Sequence, residues 1–197
     1  MADHEFTIEQ VQNRLGITIE DAYLFASIAE VPLTATFLDG LKRGSTLALA
    51  VNTEKAKSEF IIAPLLLEVK AQLHDAISIF SGVDFNIDAE RGLNGVCDFI
   101  ISKNRRQHVL AAPVITIVEA KNDNLRNGVG PCIAEMVAAQ TFNLKEGTPI
   151  ATIYGAVTIG SAWKFLKLEE ATVTLDLDEY FINTPQKIMG ILMAILA

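Results

Sequence analysis

Residues 95–101 read GVCDFII and residues 115–121 read ITIVEAK, and these two stretches decide the fold. Both are apolar except for the charged side chains of Asp98, Glu119 and Lys121. Residues two apart on a strand share a face, so Glu119 and Lys121 project together. A carboxylate inside an apolar strand costs free energy unless a cation or a hydrogen-bond network compensates its charge, and Asp98 is such a carboxylate. The two predicted strands therefore carry a charged cluster that calls for a chemical explanation.

The rest of the chain alternates between helical and strand periodicity. Strands are predicted at 83–87, 96–101, 114–120, 150–159, 163–168 and 171–177, with an antiparallel hairpin joining the second and third. Helices are predicted at 6–16, at 52–74 with a bend at Pro64, from Pro131 to about Leu144, and from the Thr184 cap and Pro185 to the end. The segment 127–130 is interpreted as the turn that opens the third helix, and residues 18–50 allow no assignment.

Composition indicates a globular α/β protein with one large core. The chain has 197 residues, of which 50% are hydrophobic and 20% charged. We expect an N-terminal helical extension over residues 1–51 and a main domain over 52–197, packed as one unit. Cys97 and Cys132 form no CxxC pair, and no secretory signal or membrane-length apolar run is present, which favours a reducing, cytoplasmic location and no membrane partner.

Net charge argues against an extended nucleic-acid-binding surface, since the chain carries −8 at neutral pH. Residues 91–126 nevertheless carry a net charge of +3, and three of their cations lie in the run 103–106. A solvent-exposed hairpin tip is the simplest interpretation of that run. A function on nucleic acid would need these cations gathered in one groove or a partner that supplies others.

The carboxylates and the lysine of the two central strands suit a hard cation. Mg²⁺ prefers oxygen ligands, keeps several waters and takes one or two carboxylates, which Asp98 and Glu119 supply. The Lys121 ammonium then orients a water or stabilises charge on a phosphate. A plain ion pair at a sheet edge remains the alternative for Lys121. Neither GxxxxGK nor GxGxxG occurs, so no nucleotide cofactor is expected.

The order of these residues resembles the PD-(D/E)XK nuclease-like superfamily, which includes restriction endonucleases and many repair and recombination nucleases. Asp98 stands where that family has its metal-binding Asp, and Glu119-Ala120-Lys121 reads as its ExK motif after a hairpin. Cys97 replaces the Pro that often precedes the Asp. The resemblance spans about residues 52–168 and implies a restriction endonuclease-like central mixed β-sheet flanked by helices.

The resemblance also implies roles for two residues outside the strands. Glu59, in the preceding helix and just before an apolar run, is the expected further ligand of Mg²⁺ or Mn²⁺. Gln140 is the candidate for a glutamine that several members carry in the helix after ExK, although a surface position is an equal alternative. The implied catalytic set is then Asp98, Glu119, Lys121, Glu59 and Gln140.

Two functions remain open at this point. The first is a Mg²⁺-dependent nuclease that hydrolyses DNA phosphodiester bonds. The second is a catalytically inactive relative that serves as a binding or assembly module, for example as a homodimer, and the net charge of −8 favours it. Measured metal binding and DNA cleavage distinguish the two.

Overall fold

Helices and strands alternate along the chain in the computed structural model, which describes residues 6–196. The helices are α1 (Ile8–Leu15), α2 (Ala35–Val51), α3 (Glu54–Lys57), α4 (Ala63–Gln72), α5 (Leu125–Lys145) and α6 (Pro185–Leu196). The strands are β1 (Thr18–Ala22), β2 (Ser78–Asp84), β3 (Val96–Ser102), β4 (Val114–Ala120), β5 (Thr152–Thr158), β6 (Ala162–Glu169), β7 (Thr172–Asp176) and β8 (Tyr180–Phe181). None of the helices described is long and apolar enough to cross a lipid bilayer.

The strands form one mixed sheet in the order β1-β7-β6-β5-β4-β3-β2, with β8 pairing to β6. β4 and β5 are parallel, as are β1 and β7, while the other neighbours are antiparallel. A parallel pair needs a long crossover, and α5 provides it between β4 and β5. The predicted α/β class, with a mixed sheet flanked by helices, is confirmed.

Both faces of the sheet are covered, and β4 is buried at every position. Residues of α2, α4 and α6 pack on one face, and those of α1 and α5 pack on the other. Burial on both faces explains why the β4 sequence is an almost continuous apolar run. Its single carboxylate, Glu119, lies at the end of the strand where α5 begins its path across the sheet.

The structure corrects the predicted start of α5. Asn124 caps the helix by accepting the Arg126 N–H at 2.8 Å, so the helix begins six residues before Pro131, which lies inside it. Gly128 and Gly130 form no turn. They are helical residues at which the chain packs closely, because a Cβ at Gly130 would collide with the backbone of Phe6.

The predicted helix over 52–74 is present but contains a wide turn. Ser58–Ile62 forms a π-helical turn between α3 and α4, closed by the Ala63 N–H donating to the Ser58 carbonyl. Pro64, which has no N–H to donate, falls in the first turn of α4. The extra residue changes the helical register by about 100° and so changes which side chains face the sheet.

The segment 1–51 shares the sheet of the main domain as far as it is described. β1 pairs in parallel with β7, starting at Thr18↔Thr172, and α2 packs against the π-helical turn. The predicted first helix is present as α1, and it begins with a capping box in which Thr7 and Gln10 satisfy each other's backbone N–H groups. α2, capped by Thr34, lies in the region that the sequence left unassigned.

The hairpin of β3 and β4 is confirmed, and its long loop folds back over the sheet edge. β2 begins at Ser78 rather than 83, because it pairs with β3 from Ser78↔Ser102 to Asp84↔Val96. The Gln107 side chain donates to the Ile79 carbonyl at 2.6 Å and accepts the Ile79 N–H at 3.3 Å. It therefore occupies part of the free edge of β2.

Candidate functional site

Asp98 and Glu119 lie where β3 and β4 stop pairing. The register of the two strands ends at Phe99↔Val118, so these carboxylates come one position beyond the last pair. The Asp98 carboxylate accepts the Ala120 N–H at 2.8 Å. The Asp98 side chain thus accepts a backbone N–H of β4 that would otherwise donate to a carbonyl of the neighbouring strand β3, and this contact orients Asp98.

Glu119 and Lys121 form an ion pair at the end of β4. Lys121 Nζ lies 2.8 Å from Glu119 Oε1. The Lys121 side chain is 19% exposed and the Glu119 side chain is 5% exposed. The Lys121 N–H donates to the Thr158 carbonyl at 2.8 Å, which extends the pairing with β5 to this residue. The predicted shared face of Glu119 and Lys121 is therefore confirmed.

The first turns of α5 cover this ion pair. A Cβ at Gly128 would lie 3.0 Å from Lys121 Cγ and 3.5 Å from Glu119 Cγ, and it would collide with Val157. Only glycine lets the helix approach the strand ends this closely. The small residue in α5 therefore shapes the wall of the site.

Burial and charge shift the pKa values of the pair in a consistent way. Burial, repulsion from Asp98 and the charge of Glu54 raise the pKa of Glu119 to about 7, although Lys121 opposes this. Burial lowers the pKa of Lys121, but the attraction of its ammonium to Glu119 is stronger, so the pKa of Lys121 is raised overall. Lys121 is thus a charged ammonium at neutral pH, where Glu119 is close to the midpoint of its titration.

Three further residues, absent from the predicted set, lie around the pair. Glu54, at the start of α3, acts electrostatically on both Glu119 and Lys121. The buried Lys57 donates to the Asn122 carbonyl at 2.5 Å and to its side-chain oxygen at 3.1 Å. Lys57 thereby holds the residue that follows Lys121. In the sequence, this contact was indicated only by the position of Asn122 directly after Glu119-Ala120-Lys121.

The structure does not bring Glu59 to the cluster. Glu59 lies in the π-helical turn, where its side chain is 51% exposed and pairs with Lys55 at 2.9 Å. Glu54 is the carboxylate of this helical segment that interacts with Glu119. The ligand role of Glu59 therefore has no geometric support, whereas Glu54 is close enough for its charge to act on Glu119.

Gln140 is also distant from the cluster. It follows Gly128 by twelve residues on α5, which corresponds to about 18 Å along the helix. Its side chain donates to the Glu170 carbonyl at 2.9 Å, at the turn between β6 and β7. This contact fixes the end of α5 to the sheet, and Gln140 takes no part in the arrangement of the three motif residues.

Glu135 is the acidic residue that sequence reasoning missed. It is 5% exposed, and among the described residues neither of its carboxylate oxygens has a nitrogen or oxygen partner, while the weakly donating Cys97 thiol lies beside it. Burial, with the charges of Glu119 and Asp98, raises its pKa well above the ordinary value. The sequence offered one indication of its importance, because Glu135 is the only charged residue between Arg126 and Lys145.

The basic run 103–106 lies at the opposite end of β3 from Asp98. Lys103 follows Asp98 by five positions of extended chain, which is roughly 16 Å. Arg105 donates to the carbonyl oxygens of His74 and Asp75, beyond the end of α4. Arg126, in the first turn of α5, is exposed and lines a groove between α1 and α5 with Gln12 and Gly130.

The side chains present suit a divalent cation with few protein ligands. In residues 6–196, no three His, Cys, Asp or Glu side chains converge as a complete metal site. Asp98 and Glu119 offer two carboxylates whose mutual repulsion helps to raise the pKa of Glu119, and a cation would relieve that repulsion. Mg²⁺ uses one or two carboxylates and retains waters, so this donor set fits it.

Substituting Glu119 with Gln is expected to flatten the pH dependence of stability in the absence of divalent cations. The pKa of Glu119 is raised from 4.5 to about 7 in the folded protein, so the folded state binds the proton more tightly than the unfolded state. The stabilisation that results is complete below pH 4.5 and is lost as the pH rises through 7. The expected loss is roughly 3 kcal/mol. Urea denaturation in EDTA between pH 4 and 8 measures this loss of stability. The same change of the free energy of unfolding with pH in the wild-type protein and Glu119→Gln would contradict the prediction.

The local chemistry of this cluster is the basis for any assignment of function. Its defined elements are the Glu119–Lys121 pair, the oriented Asp98 and the nearby acid Glu135. No protein-family model, no curated protein and no solved structure matches the chain.

Proposed function

We propose that this protein is a Mg²⁺-dependent nuclease of the PD-(D/E)XK type that hydrolyses DNA phosphodiester bonds. The observation that carries the proposal is the 2.8 Å pair of Lys121 and Glu119 at a strand end, one position beyond the β3–β4 pairing and beside Asp98. An ammonium next to two carboxylates is the arrangement that metal-assisted phosphoryl chemistry uses.

The order of elements around the site supports the same proposal. The helical segment α3–α4 precedes the antiparallel strands β2, β3 and β4, and α5 then crosses to the parallel strand β5. This is a helix, then a hairpin whose second strand ends in Glu-Ala-Lys, then another helix. The restriction endonuclease-like resemblance implies that order.

Each motif residue has a separate task in the proposed reaction. Bound Mg²⁺ would polarise the phosphoryl oxygen and lower the pKa of a bound water. Asp98 and Glu119 would hold the cation, and the Ala120 N–H holds one carboxylate oxygen of Asp98 in place. Lys121 is fixed by Glu119, so its ammonium is placed to orient the attacking water or to stabilise charge developing on the phosphate.

Metal titration followed by a cleavage assay tests the proposal. Wild-type protein is expected to bind Mn²⁺ in calorimetry and to nick plasmid DNA when Mg²⁺ is added, whereas Glu119→Ala is expected to do neither. Absence of Mn²⁺ binding by the wild-type protein would reject the proposal. Cleavage that persists in Glu119→Ala would assign the activity to a contaminant.

The inactive binding module is the second candidate function. It is favoured by the net charge of −8 together with the separation of the run 103–106 from the acidic cluster. A folded protein that binds no divalent cation would support it, and sedimentation velocity would then show whether the chain forms a dimer.

Arg126 is expected to contribute to DNA binding, while Arg106 is not. Arg126 lies two residues before Gly128 and lines a groove of about 550 Å³ between α1 and α5 that also includes Gln12. Arg126→Ala is expected to weaken the affinity for DNA several-fold, because one phosphate contact is lost. The slope of the logarithm of the binding constant against the logarithm of the salt concentration is expected to become smaller by about one. Fluorescence anisotropy in Ca²⁺ measures both quantities without cleavage. Equal effects of Arg126→Ala and Arg106→Ala would contradict the assigned surface.

A further inference from the structure

Glu135 is a buried acid whose position has no structural explanation. Glu135 is 5% exposed, and among residues 6–196 neither carboxylate oxygen has a nitrogen or oxygen partner; the Cys97 thiol beside it is only a weak donor. Burying such a group without partners lowers the stability of the folded protein. An unpartnered buried polar group of this kind indicates a bound water, an ion or a functional role.

The helix places Glu135 on the side of α5 that faces the site. It follows Gly128 by seven residues, which is within about 20° of the same helical face and about 10 Å further along the axis. Its charge interacts with those of Glu119 and Asp98. Cys97, the neighbour of Asp98 on β3, lies beside it.

Direct ligation of a cation by all three carboxylates does not fit the geometry. Within residues 6–196 no three acidic, histidine or cysteine side chains converge on one point. Mg²⁺ and Mn²⁺ retain waters when a protein offers two carboxylates, and side chains outside the ligand set commonly orient those waters. An unpartnered carboxyl group near the two ligands is suited to that task.

We propose that Glu135 is a positioning residue of the cation site, which it serves by hydrogen bonding to water carried by the bound cation. This inference rests on the proposed function, because it requires a divalent cation at Asp98 and Glu119. It adds a third acid, from α5, to the two strand carboxylates. The unpartnered oxygens of Glu135 are thereby satisfied when the site is loaded.

An internal water is the competing explanation. A cavity of about 10 Å³ is lined by Cys97 and Glu135 together with apolar side chains and backbone of the segment before β3. That volume is at the lower limit for one water. A water there would satisfy Glu135 without any cation, and Glu135 would then affect stability but not metal affinity.

The test combines Mn²⁺ calorimetry with thermal unfolding of three variants. Glu135→Gln keeps the shape of the side chain, Glu135→Met removes its polarity, and Glu146→Gln is the matched control on the exposed end of α5. Both Glu135 variants are expected to bind Mn²⁺ 10- to 100-fold more weakly than the wild-type protein, and Glu146→Gln is expected to bind it unchanged.

Stability separates positioning from a structural role. In EDTA, Glu135→Met is expected to raise Tm by a few degrees, because an unpartnered acid is removed from the interior. Mn²⁺ affinity within twofold of wild type in Glu135→Gln or Glu135→Met, with binding still abolished in Glu119→Ala, would overturn the inference and leave the proposed function intact. Absence of Mn²⁺ binding by the wild-type protein would overturn both.

Discussion

Lys121→Met is expected to lower Mg²⁺-dependent DNA cleavage by a factor of about 10² to 10⁴ while the protein remains folded. Methionine keeps the apolar stem that packs against Gly128 and removes the ammonium 2.8 Å from Glu119. The attacking water and the phosphate then lose their positive partner. Plasmid nicking rates measure the loss, and circular dichroism verifies the fold.

Mn²⁺ affinity is expected to be retained in Lys121→Met. Both carboxylates remain, and the repulsion between the ammonium and a bound cation disappears, which offsets the further rise in the pKa of Glu119 once Lys121 no longer lowers it. Loss of cleavage with preserved Mn²⁺ binding therefore assigns Lys121 to the reaction rather than to assembly of the site.

Lys167 provides a matched control for this substitution. Lys167 and Glu169 form an ion pair of 2.8 Å on β6 with the same two-residue spacing, and Lys167 is 27% exposed. Lys167→Met is expected to leave cleavage unchanged. Similar cleavage rates in Lys121→Met and wild type, or equal losses in Lys121→Met and Lys167→Met, would refute the role of Lys121.

Gly130→Ala is expected to destabilise the protein by about 1–3 kcal/mol or more. The new Cβ would collide with the carbonyl oxygen of Phe6 and crowd Thr7, which are backbone atoms that cannot rotate away. The N-terminal segment would have to leave the surface of α5 or shift it. Urea denaturation measures the change in the free energy of unfolding.

Gly40→Ala is the control for Gly130→Ala. Gly40 also lies inside a helix, α2, but nothing is within 4 Å of its would-be Cβ. Alanine there is expected to stabilise the protein by about 0.4–1 kcal/mol, because it restricts the unfolded chain. Opposite signs at the two glycines are therefore expected. A stability of Gly130→Ala equal to that of wild type would show that α1 is not firmly packed on α5.

The strand cluster was predictable because its signals are local. Alternation along β4 placed Glu119 and Lys121 on one face, and the apolar run around Asp98 marked β3 as a buried strand. The pairing of these strands follows from their succession along the chain, with only a loop and no helix between them. What sequence could not show is that their ladder ends at Phe99↔Val118, which lets Asp98 bind the Ala120 N–H.

The helical contributions were less predictable because they depend on register and tertiary packing. Glu59 follows Glu54 by five residues, about 140° around the helix, so Glu59 points to solvent and pairs with Lys55 while Glu54 acts on the site. Close packing, rather than turn formation, explains Gly128 in α5. Glu135 is buried by contacts that no local pattern encodes.

The contact between Gln107 and Ile79 has a consequence for self-association. A free edge strand offers unpaired backbone groups as a template on which another chain can add a strand, a common route to aggregation. At Ile79 the Gln107 amide already takes both groups, with the geometry of a neighbouring strand. Growth of the sheet past β2 into a larger assembly would first require this loop to detach.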